Sequence, residues 1–111
     1  MAKIQRPISP YATDGVALMG QLLRKARIEK KMTTADVAVR SGVSRGLLHR
    51  IERGDPGCAI GAVFEVAAVV GLRLFDAESS TMARALETNR EVMQLLPRSI
   101  RTQRREVEDD F

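Results

Sequence analysis

The chain has 111 residues and a formal net charge of +4; 44% of its residues are hydrophobic but only 4% aromatic, with no Trp. That size allows one small domain with an extension and excludes a second full domain, and the core has to be aliphatic. A single Cys excludes an internal disulfide, one His and the lack of any phosphate-loop or nucleophile motif argue against an enzyme or a metal centre, and no apolar run approaches the roughly 18 residues of a membrane span.

Residues 1–13, interrupted by Lys3, Gln5, Arg6, Pro7 and Pro10, read as a flexible arm with no apolar leader core, so a cytoplasmic protein is expected. A first helix is expected from Val16 to Lys30, with Asp14 as its N-cap and Met19, Leu22, Leu23 and Ala26 as its inward stripe. Thr33 or Thr34 caps a second helix that ends near Gly42, and a third runs from Ser44 to Arg53. Gly54-Asp55-Pro56-Gly57 is a clear break. An apolar fourth helix follows from Ile60 to Val70, with Ile60, Val63, Phe64, Ala67 and Val70 at helical spacing and Gly71 as its stop.

Leu72-Arg73-Leu74-Phe75-Asp76 alternates and is too short for a helix, so a single strand is expected; having no partner in its own chain, it pairs with its copy in a dimer. A further helix is expected over residues 79–97, capped by Ser79 or Ser80, with Met82, Leu86, Val92 or Met93 and Leu96 inward and Pro97 as terminator. Residues 98–111 form a charged tail, too polar to pack and expected to be disordered when free.

The residues between Thr33 and Gly54 carry the functional signal. Val37 and Ala38 give the second helix a small apolar face, Leu48 and Ile51 give the third its own, and Gly42 sits where the two must cross sharply. Pointing away from that shared core are Arg45, Leu47, His49 and Arg50, with Gly46 leaving the backbone open, which is the layout of a recognition helix in a DNA groove. The charge agrees: residues 1–54 hold 11 Lys or Arg against 4 Asp or Glu, whereas residues 55–111 hold 7 against 10. By position, Ser44, Arg45 and Gly46 face the bases, Leu47 reaches a thymine methyl, Thr33, Thr34 and Arg50 lie nearer phosphates, and His49 meets a base, a phosphate or solvent. No cofactor is expected.

From Met32-Thr33 to Ile51-Glu52-Arg53-Gly54 the chain resembles the phage-repressor-like, or Xre, helix-turn-helix family, with Thr34 where that family carries a glutamine. The resemblance implies an all-α, repressor-like domain of four to five helices over residues 14–71, a dimerisation strand over 72–78 with Leu72, Leu74 and Phe75, and a structural ion pair between Arg27 and Glu52. The turn at Gly54, the apolar helix after it, the strand and the closing Leu-Pro-Arg…Asp-Asp-Phe are similar to HipB-type antitoxins. That similarity implies a homodimer that binds palindromic double-stranded operators, represses its own transcription and holds a HipA-like kinase toxin inactive, with Phe111 as the aromatic anchor in the toxin. An ordinary Xre-type repressor whose Met-rich last helix only dimerises, and an interaction module that has given up DNA, are the alternatives.

Overall fold

A computed structural model describes residues 7–76 and 78–100. The chain divides into two compact units, the first ending at Asp76 and the second beginning at Ala77.

In the first unit, α1 (Pro10–Glu29) starts a turn and a half before Val16. Ser9 takes the N-cap, its hydroxyl oxygen accepting from the Ala12 amide at 3.1 Å, and Pro10, with φ already fixed near the helical value, opens the first turn. The expected arm of residues 1–13 is therefore helical from Pro10, and Asp14 lies within α1 instead of capping it; residues 1–6 lie outside the described residues. α2 (Thr34–Ser41), α3 (Arg45–Glu52) and α4 (Ile60–Val70) follow at the expected places.

α2 packs on α3 and α4, and α1 closes over α3 and α4 from the other side. Between them lies one aliphatic core in which Leu23, Val37, Leu48, Val66 and Val70 are essentially inaccessible. Two details depart from expectation. Leu22 is 39% exposed, because Gly20 and Leu23 are the buried positions of α1. α4 turns Val66, Ala67 and Val70 inward, leaving Ile60 74% and Phe64 36% exposed. A helix that is apolar nearly all round carries no strong phase, so tertiary fit to α1 and α2 selects the buried face.

The strand expected after Gly71 is not formed: Leu74–Asp76 is a 3-10 turn, and Phe75 sits at φ 58, ψ 15, a left-handed conformation that no extended strand contains. Leu72 and Leu74 still pack partly against the core, whereas Phe75 is 78% exposed and its ring stacks on Phe64 with centroids 6.1 Å apart.

The second unit is described through α5 (Ser79–Gln94), with Glu78 rather than a serine at the N-cap position and none of its residues buried. It ends three residues before Pro97, consistent with the bias of a pre-proline residue away from the helical region. The tail beyond residue 100, including Phe111, lies outside the described residues.

Candidate nucleic-acid interface

Local chemistry fixes α2 and α3 before any packing does. Thr33 and Asp36 form a reciprocal capping box: the Asp36 amide donates to the Thr33 hydroxyl oxygen at 3.0 Å and the Thr33 amide donates to the Asp36 carboxylate at 3.2 Å. The Thr33 amide, followed by the Thr33 side chain, holds the Asp36 carboxyl below its ordinary pKa. α2 ends at Gly42, whose φ of 73 is the left-handed value that glycine adopts without steric cost. Two residues on, the Ser44 hydroxyl oxygen accepts from the Leu47 amide at 3.0 Å and starts α3. Among the described residues the one buried polar residue, Ser41, is satisfied by donating its hydroxyl to the Val37 carbonyl at 2.6 Å.

With Leu48 and Ile51 buried, the opposite side of α3 is turned to solvent. Arg45, Gly46, His49 and Arg50 are all exposed there, as expected, and so is Ser44. Leu47 departs from expectation: it is half-buried and packs against the core, so only part of its side chain is available outward. Thr33 is exposed and Thr34 half-buried at the N-terminal end of α2.

Arg53 was not among the expected contacts, yet it is exposed one helical turn beyond Arg50 and seven residues beyond Gly46, on the same outward line. That spacing is readable in the sequence once the buried face of α3 is known.

Two arginines that flank this surface are held differently. Arg27 of α1 meets Glu52 at the end of α3 side-on, Nε to Oε2 at 2.7 Å and Nη2 to Oε1 at 3.1 Å, while its Nη1 donates to the Met32 carbonyl at 3.1 Å. Their side chains are 12% and 7% exposed, and the hydrogen bond to Glu52 raises the Arg27 pKa further. The expected ion pair is thus made, locking α1 to α3. Arg50 instead donates from Nε to Asp55 at 2.9 Å, and Asp55 also accepts from the Gly57 amide at 2.8 Å, which with Arg50 lowers the Asp55 pKa. The break at Gly54-Asp55-Pro56-Gly57 therefore does more than end α3: its Asp55 carboxylate holds the guanidinium of one outward arginine through Nε.

Cys58 follows that clamp, half-buried, with burial pushing its thiol pKa up. Among the described residues no group of three or more His, Cys, Asp or Glu stands ready for a metal ion, and no helix is long and apolar enough to cross a membrane.

No curated protein and no solved structure matches the chain. Residues 18–78, however, match a family model described as a helix-turn-helix domain, a span that runs from within α1, through α2, the Gly42 turn and α3, past α4 to the 3-10 turn. The match covers more than half of the sequence and includes every element that builds the surface above, so the chain belongs to the helix-turn-helix domain family.

Proposed function

We propose that this protein is a transcription regulator that lays α3 in the major groove of duplex DNA and binds a palindromic operator as a homodimer. One observation carries the reading: a helix whose inner side is buried at Leu48 and Ile51 presents Arg45, Gly46, His49, Arg50 and Arg53 together on its outer side. Gly46 leaves the helix backbone free to approach base edges, Arg45 is placed for a bidentate contact to guanine, Arg53 supplies phosphate neutralisation, and Arg50, its charge shared with Asp55, offers its remaining N–H donors to a phosphate. Thr33 and Thr34, at the N-terminal end of α2, add donors toward a phosphate.

A titration on the upstream region against random duplex, at fixed salt, tests this. Arg45→Ala with His49→Ala weakens operator binding by about 5- to 150-fold, the equivalent of roughly 1–3 kcal/mol, and narrows the gap to random duplex. Unchanged operator binding in that double variant overturns the reading.

The narrower role is that of an antitoxin, repressing its own operon together with a HipA-like kinase toxin. Its support is the resemblance of the Gly54–Gly57 turn and of the apolar α4; Leu72, Leu74 and Phe75 do not form the strand that resemblance implies, and Phe111, its candidate anchor, lies outside the described residues. Co-expression with the neighbouring reading frames separates it from an ordinary repressor. A kinase-like product retained through purification, and lost when residues 106–111 are deleted while operator affinity is kept, supports the antitoxin; a regulator that retains no such product is an ordinary repressor.

A further inference from the structure

α5 has 16 residues and buries none of them, and a helix of that length without a packed face is marginal in water. Its apolar side chains are nonetheless ordered along it. Met82, Leu86, Asn89 and Met93 follow one another at steps of four, three and four, a repeat that keeps them on one seam when a helix winds at 3.5 residues per turn, and Leu96 continues the spacing two residues beyond the end of α5. Leu86 is 52% exposed, Met93 57% and Leu96 49%. Arg84, Glu87 and Glu91 occupy the far side, and Arg90, at the border of the seam, is neutralised within its own helix by Glu87 at 3.2 Å.

We infer that α5 is a dimerisation helix that pairs with α5 of a second copy of this chain, parallel and in register. The four-three repeat is the pattern by which the knobs of one helix enter the holes of a like helix, whereas docking on a globular surface calls for a broader stripe of period 3.6. Asn89 selects the partner. Against an apolar surface its amide is left without a hydrogen bond, but in register it faces its own copy, where one amide N–H donates to the other amide carbonyl.

The area is sufficient: half-exposed seam side chains offer roughly 500 Å² per copy, on the order of 1,000 Å² for the pair, the lower bound of a specific interface.

The pairing gives the proposed regulator its two-fold axis, but it is measurable without DNA, so its failure and that of the DNA reading are told apart. Sedimentation equilibrium of the full chain gives a dimer, and Leu86→Glu with Met93→Glu raises the dissociation constant at least 100-fold. The thermal transition of the first unit persists in that variant, because neither residue is buried. In a Cys58→Ala background, Met82→Cys forms a disulfide-linked dimer on mild oxidation, since residue 82 lies near the start of α5 and only a parallel pairing brings it onto its copy. A monomeric full chain, a dimer that survives both glutamates, or no cross-link at residue 82 overturns the inference.

Discussion

Arg27 and Glu52 join α1 to the end of α3 through two parallel contacts in a largely buried setting, so removing one partner leaves a poorly hydrated charge without its counter-ion. Arg27→Met is expected to cost about 3 kcal/mol of unfolding free energy, read from the urea midpoint at constant slope. Gly20 performs a comparable service without a side chain: a Cβ there meets the Ile51 and Glu52 carbonyl oxygens at 2.6 and 2.7 Å, backbone atoms that cannot step aside. The helix propensity gained by Gly20→Ala, about 1 kcal/mol, is outweighed by overpacking of about 1–3 kcal/mol, so the variant melts lower. Asp36 and Asp55 set the acid limit. The fold's hydrogen bonds hold both carboxyls below their ordinary pKa, so their contribution is whole above the unfolded value near pH ~4 and is lost as pH falls through the folded values. Urea midpoints should therefore drop between pH 5 and pH 3, roughly the carboxylate range, and Asp36→Asn with Asp55→Asn should flatten that drop.

Elements governed by neighbours in sequence are legible in the sequence; those governed by neighbours in space are not. The Gly42 turn and the Ser44 cap place α2 and α3 to within a residue, because a left-handed glycine and a capping hydroxyl act over three or four residues. The buried side of α4 escapes sequence reading, since Ile60 and Phe64 are as apolar as Val66 and Val70 and only α1 and α2 distinguish them. Leu72 and Leu74 do face the core, as their alternation implies, but a 3-10 turn meets that demand as well as a strand does. Pro10 reads as part of a flexible arm although a proline after a capping serine equally opens a helix, and the role of Gly20 rests wholly on Ile51 and Glu52, distant in sequence. The outward side of α3 obeys the same rule: the exposure of Arg45, Gly46, His49 and Arg50 is legible from the inward pair Leu48 and Ile51, while the half-burial of Leu47 and the outward place of Arg53 require knowing where that inward face ends. Arg53 then yields a test at this scale. Arg53→Ala should lower affinity for operator and random duplex alike and reduce the slope of log affinity against log salt by about 1, whereas Arg45→Ala should lower the operator most.

The two units divide the labour of the molecule. The first carries the core and the outward arginines, with its buried side chains complete by Val70; the second offers an unburied helix with a repeating seam. A fragment of residues 1–76 is therefore expected to unfold cooperatively, with a midpoint that does not depend on protein concentration, and to bind an isolated half-site as the full chain does. On a palindrome with half-sites one DNA turn apart, about 34 Å, the full chain engages both sites as one particle. The second contact is then intramolecular, an advantage on the order of 10²–10⁴ that the fragment forfeits. Anisotropy titrations of both proteins on half-site and palindromic duplexes measure that ratio. Equal affinity of the fragment and the full chain for the palindrome would move the two-fold axis into the first unit, where the exposed pair Phe64 and Phe75 offers an apolar surface instead. A fragment that matches the full chain on the half-site but trails it a hundredfold on the palindrome assigns the reading of bases to α3 and the counting of half-sites to α5.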